Sequence, residues 1–209
     1  MPNERYGSFS LFLDILHTLE AIGAPYVVIG AFAATIYGST RATHDIDMIV
    51  DLSDEHIRAL VEAYPAPRYY ADLEQMRDSV RRGVMFNIID ADRGEKADLV
   101  PLSMGRRYRR ALANRVRQRV AVSGIEPFEI WCARPEDVIV GKLMAWDEGR
   151  SRKHESDILQ MMVLHYSGAG AGPLEEAYID GQAQLLGPQV AALWAAIKQA
   201  ARQEATPDK

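Results

Sequence analysis

The chain has 209 residues, 48% of them hydrophobic and 25% charged, with a formal net charge of −5. That is the composition of a globular chain large enough to bury a real core, and its negative balance argues against wholesale coating of nucleic acid. The longest apolar stretch, residues 24–37, is too short to span a bilayer and is broken by Pro25 and glycine. A single cysteine, Cys132, rules out an intrachain disulfide; in the apolar run "FEIWCA" it reads as a buried, inert thiol. The N-terminus lacks the basic-then-apolar order of a secretory signal, so a cytoplasmic protein is expected.

In chain order, "SFSLFLDILHTLEAIG" spaces its apolar residues as a helix and stops on Gly23. "YVVIG" reads as a short buried strand, "AFAATIYG" as a short helix closed by Gly38, and "HDIDMIVDL" as a strand rich in Ile, Met and Val. "SDEHIRALVEAY" opens on the cap-like Ser53, and "YADLEQMRDSVRRG" is a further helix candidate. "VMFNIIDADRGEKADLVPL" predicts two strands joined by a polar turn at Gly94. "RYRRALANRVRQ" is helix-prone, "VAVSG" and "FEIWCA" are strand candidates, and from residue 134 the pattern is helical. "SGAGAGP" is the best linker, and the tail "EATPDK" is expected to fray. Strands crowd the first two-thirds and helices the last third, which predicts an α+β core over residues 1–134 and a helical region over 135–209.

Chemistry concentrates around "HDIDMIV". Residues two apart on a strand share a face, so Asp45 and Asp47 project together while Ile46 turns to the core. Two adjacent carboxylates repel unless a cation or strong donors neutralise them. Mg²⁺ suits such a pair, being a hard ion often held by few carboxylates together with substrate phosphates. An ordinary strand edge with solvated aspartates remains the plain alternative. Three neighbours favour the metal reading. Gly30 ends a strand and opens a helix, whose backbone N–H groups suit a phosphate. Arg41 lies in the loop before the pair and suits the same anion, and Asp98 sits on another expected strand. If that strand lies beside the first, three carboxylates converge and two ions are conceivable.

"G-A-x(13)-D-I-D" with a later "A-D-L-V" strand resembles the polymerase-β-like nucleotidyltransferases. The wording of residues 30–50 is most similar to the AbiEii-type toxin nucleotidyltransferases of bacteria and their relatives. A second stretch, "PEDVIVGKLMAWDEGRSRKHESDI", resembles that group's later motif, with Lys142, Lys153 and Asp157 at matching positions. The resemblance covers residues 26–164. It implies a mixed-sheet nucleotidyltransferase fold, with Asp45, Asp47 and Asp98 holding two Mg²⁺ ions and Asp98 helping to deprotonate an acceptor. Gly30, Ala31 and Arg41 would contact a nucleoside triphosphate, and Lys142, Lys153 and Asp157 would complete the site. Two departures stand out: Ala31 replaces a glycine or serine, and His154 replaces the first aspartate of K-D-x-x-D, with Glu155 beside it.

The residues themselves allow plainer readings. Lys142 in an apolar helix must reach solvent or meet an anion, and Lys153 and Asp157 are spaced for an i,i+4 pair. His44 and His154 read as structural, and Trp131, Trp146 and Trp194 as core. Residues 105–119 hold seven arginines, a solvated face or else a phosphate-backbone surface. The resemblance supports RNA there, contacted through Arg106, Arg107, Arg109 and Arg110, and a cognate antitoxin as protein partner. The rival is a non-catalytic scaffold of the same fold; a third reading is a drug-modifying nucleotidyltransferase with a small hydroxylated acceptor.

Overall fold

The computed structural model describes residues 10–41, 43, 45–121, 126–170 and 172–206. The chain forms two compact units: Met1–Ile29 with Thr43–Ala133, and Gly30–Ala42 with Arg134–Lys209. The linear division at residue 134 differs from this in one segment, because residues 30–42 group with the C-terminal helices.

The first unit is α+β. Among the described residues its seven strands are β1 (Tyr26–Ile29), β2 (Asp45–Val50), β3 (Tyr69–Tyr70), β4 (Phe86–Asp90), β5 (Glu95–Pro101), β6 (Val116–Val120) and β7 (Phe128–Cys132). They form one sheet in the order β3-β4-β5-β2-β1-β7-β6. The sheet is mixed: β2 runs parallel to β5 and β1 parallel to β7, while the other neighbours are antiparallel. Its centre is apolar, with Val27, Val28, Ile46, Met48, Ala97 and Leu99 fully buried. Each of the larger of these side chains contributes about 1.5–3 kcal/mol by leaving water.

The helices of this unit are α1 (Ser10–Ala21), α3 (Asp54–Ala63), α4 (Leu73–Arg82) and α5 (Arg106–Ala113). Their ends follow capping chemistry. The Leu11 amide at the start of α1 donates to the buried Glu95 carboxylate of β5 at 2.9 Å, where the helix dipole favours negative charge. Ser53 accepts from the His56 amide, and the His56 ring accepts from the Ser53 amide, a capping box with histidine in the usual glutamate position. Asp72 caps α4, which ends on Gly83 at φ 67°. The β4–β5 turn is clamped by the buried Asp90, which accepts from Arg68 and from the Asp92 and Arg93 amides.

The second unit is helical, built from α2 (Gly30–Ile36), α6 (Pro135–Gly149), α7 (Arg152–Tyr166), α8 (Glu176–Leu186) and α9 (Pro188–Ala205). Proline opens α6 and α9 at the position where a missing N–H costs nothing. Trp194 of α9 is buried, and its indole N–H donates to Asp180 of α8 at 2.6 Å. Gly38 follows α2 at φ 107°, and a Cβ there would lie 2.6 Å from Leu164 Cδ2 of α7, so the position requires glycine. No helix among the described residues is long and apolar enough to cross a membrane.

Some expectations shift. "VRQ", residues 116–118, is strand rather than helix: after Asn114 closes α5, β6 alternates exposed and covered residues against β7. Residues 122–124 of the "VAVSG" strand candidate, and His44, lie outside the described residues. Of the three tryptophans expected in the core only Trp194 is fully buried. Trp131 is half-covered, with the Arg115 and Arg117 guanidiniums over its ring at 4.6 and 4.2 Å. Trp146 is half-covered too, under Arg150 and bonded to Glu155. Cys132 is buried, as its run implies.

Candidate active site

The acidic face lies on the two central parallel strands of the first unit. Along β2, Asp45 and Asp47 are half-buried while Ile46 and Met48 are fully buried, so the alternation puts both carboxylates on one face. Beside β2, β5 pairs Lys96 with Asp45 and Asp98 with Asp47. On the far side of β5, Asn87 of β4 stands opposite Asp98. Asp47, Asp98 and Asn87 therefore form one row across three strands, and Asp45 and Lys96 form the next. The Thr43 hydroxyl donates to the Asp45 carbonyl at 2.9 Å and fixes the chain as it enters β2.

Asp98 is only 6% exposed, and its two oxygens are both engaged. Asn87 Nδ2 donates to Oδ1 at 2.8 Å, and Lys96 Nζ meets Oδ2 at 2.8 Å. The bond to Asp98, with the nearby charges of Asp98, Asp45 and Asp47, holds the Lys96 ammonium above the usual lysine pKa. Lys96 and Asn87 were missed in the sequence, although alternation from Asp98 already places Lys96 on its face.

The donors suit a hard cation in kind, since carboxylate oxygens are what Mg²⁺ takes. Among the described residues, however, no group of three His, Cys, Asp or Glu side chains gathers as a metal cluster. Asp98 stands beside Asp47 in register, yet its carboxylate is held by an amide and an ammonium. Asp45 and Asp47 supply carboxylates of that kind on one face of β2.

In the second unit the expected residues converge on Asp157. This carboxylate is 1% exposed and accepts from Ser39 Oγ at 2.9 Å, Arg41 Nε and Nη2 at 3.1 Å each, and Lys142 Nζ at 2.6 Å. Burial alone pushes its pKa up, but the bonds from Arg41, Lys142 and Ser39 outweigh that and hold it below the usual carboxylate value. Lys142, 4% exposed, thus meets an anion rather than reaching solvent. Lys153 is exposed, and the i,i+4 pair expected with Asp157 gives way to these other partners. Burial, then the Lys142 and Lys153 charges, keep His154 below the usual histidine pKa, and its buried Nδ1 has no hydrogen-bond partner. Glu155, beside His154, accepts from Trp146 Nε1 at 2.6 Å. Gly30 takes φ 70° at the start of α2, and Ala31 follows it half-buried.

The arginine run divides. Arg106, Arg107, Arg109 and Arg110 are exposed along α5, whose other face buries Ala111 and Leu112. Arg107 stacks on and bonds to Tyr108. Arg115 and Arg117 are committed to Trp131, and Arg117 also pairs with Glu20. The basic surface is therefore mainly that of α5.

Residues 11–166 match the family described as nucleotidyltransferase of unknown function, DUF6036. The chain belongs to that family. No curated protein sequence matches it closely enough to count as a relative. Among solved structures, JHP933 from Helicobacter pylori is similar at 14% identity and a TM-score of 0.47, with 93% of this chain and 90% of that one covered. The antibiotic-resistance factor ANT(2'')-Ia is similar at 15% identity and a TM-score of 0.48, over 91% of this chain and 94% of that one.

Proposed function

We propose that this family member transfers a nucleoside monophosphate from an NTP to an acceptor hydroxyl, with Mg²⁺. The observation that carries the reading is the register of β2 and β5, which sets Asp47 beside Asp98 with Asp45 on the same face. In the proposed reaction the acceptor oxygen bonds to the α-phosphorus in line. The bond from that phosphorus to the oxygen bridging the β-phosphate breaks, and pyrophosphate leaves with the electron pair. The hydroxyl proton passes to the Asp98 carboxylate. Asp45 and Asp47 would hold the metal, which, when bound, polarises the triphosphate and stabilises charge on the reacting oxygens. Gly30, Ala31, Arg41, Lys142 and Lys153 are proposed triphosphate contacts, with Asp157 orienting Arg41 and Lys142.

RNA is the proposed acceptor, held by Arg106, Arg107, Arg109 and Arg110, whose exposure along one helix supports phosphate contact. A closer kinship to the AbiEii-type toxins, with a role in a toxin–antitoxin pair and a cognate antitoxin as partner, belongs to the same proposal and rests on the wording of residues 30–50 and 135–158. The scaffold reading draws on Ala31 and on the engagement of both Asp98 oxygens. A melting experiment tests the site: Mg²⁺ with an NTP should raise the midpoint of the wild type, because a ligand of the folded state stabilises it. The Asp45→Asn, Asp47→Asn double variant should lose that response; an equal response in both would remove the carboxylates from the site.

A further inference from the structure

The acid row carries its own cation. Lys96 stands opposite Asp45 in register, two residues before Asp98 on the same face of β5, and its ammonium lies 2.8 Å from Asp98 Oδ2. Asn87 takes the other oxygen of Asp98 at 2.8 Å. A divalent ion shared by Asp98 would have to occupy the space and the charge that the ammonium now supplies.

We infer that Lys96 takes the place of a second metal ion, so that the site holds one divalent cation, on Asp45 and Asp47, instead of two. The inference rests on the metal-dependent reading above and deepens it. A fixed ammonium beside the Asp98 carboxylate supplies positive charge where a second ion would otherwise stand, without a ligand shell or a dissociation step. It can stabilise negative charge developing on an acceptor oxygen, as preorganised cations do. It supplies that charge in a less concentrated form than a divalent ion would, and it needs no ion to be recruited. Lys96 is thereby a positioning residue for Asp98 and a resident counter-charge for the row. Two features favour its staying in place: only a third of its side chain is exposed, and its stem lies on the sheet between β2 and β4.

The test counts ions, with no need for turnover. Full-length protein is titrated with Mn²⁺ alone, and the free ion is followed by its electron paramagnetic resonance signal. The comparison covers wild type, Lys96→Gln, Lys96→Met, Lys96→Arg and Asp47→Asn, each checked for a cooperative melt. The expected result is one Mn²⁺ per chain in the wild type and in Lys96→Arg, and two in Lys96→Gln. Lys96→Met repeats the neutral case should the glutamine variant fail to fold. Asp47→Asn should lose the wild-type ion. Two ions in the wild type would overturn the inference while leaving the metal reading intact, as would a single ion in both neutral variants, whatever its affinity. No bound ion in any variant would remove the metal reading itself, and the inference with it.

Discussion

Replacing Asp157 by Asn removes the one carboxylate that Ser39, Arg41 and Lys142 share while keeping the side chain's shape. The amide presents a donor toward the ammonium of a side chain that is 5% exposed, so the buried Lys142 charge loses its carboxylate partner at 2.6 Å. Breaking a buried pair in this way costs about 3–5 kcal/mol. For a chain of this size that lowers the melting midpoint by roughly 10 °C. Arg41, with 36% of its side chain exposed, can turn to water and adds less. Adding Lys142→Met to Asp157→Asn removes the buried charge that lost this carboxylate, so the double variant should recover part of the loss, a coupling of about 1–3 kcal/mol. Urea unfolding followed by far-UV circular dichroism and by tryptophan fluorescence measures all three variants. The pH dependence adds a sign. The folded-state pKa of Asp157 lies below its ordinary value, so its contribution is present above about pH 4. It is lost as the pH falls through the folded-state value, and Asp157→Asn should flatten that acid limb. A loss under about 1 kcal/mol with strictly additive single variants would refute the buried-charge account.

Gly38→Ala should destabilise by about 1–3 kcal/mol, because a side chain at φ 107° is strained and its Cβ meets Leu164; an unchanged urea midpoint would contradict this. Changing Arg106, Arg107, Arg109 and Arg110 to Gln should weaken binding to total RNA and flatten its dependence on salt; equal binding and an equal salt slope would return α5 to a solvated helix. Ala31→Ser should tighten a non-hydrolysable NTP by about fivefold, the worth of one neutral hydrogen bond of about 1 kcal/mol. Titration calorimetry reads the change, and an unaltered affinity would remove Ala31 from the triphosphate contacts.

The acid row was legible because strand alternation is a short-range rule: Asp45, Ile46, Asp47 and Met48 fall where a period of two puts them. The pairing of β5 with β2 was posed as a condition, and the register supplies it. Asp98's partners were harder to read. Lys96 was within reach of the same rule, but a lysine on a strand carries no signal until the acids beside it are placed. Asn87 becomes visible only when the hairpin register sets it opposite Asp98. Lys142 and Asp157 were assigned to the site from the resemblance, while their mutual bond depends on how α6 and α7 pack. The i,i+4 spacing of Lys153 suggested a local pair, and a buried carboxylate found stronger partners in Arg41 and Lys142. The grouping of residues 30–42 with the C-terminal helices lies beyond any window of periodicity, since it is a contact of long sequence separation.

The measurement that bears most directly on the central claim is transfer itself. Wild type, Asp47→Asn and Asp98→Asn are each incubated with Mg²⁺, total RNA and one of the four NTPs labelled at the α-phosphate, and product and pyrophosphate are both counted. The account predicts labelled RNA and an equal amount of pyrophosphate from the wild type with at least one NTP, and neither from the two variants. Labelling that survives undiminished in Asp47→Asn, or no labelled product and no pyrophosphate from the wild type with any of the four, would contradict it.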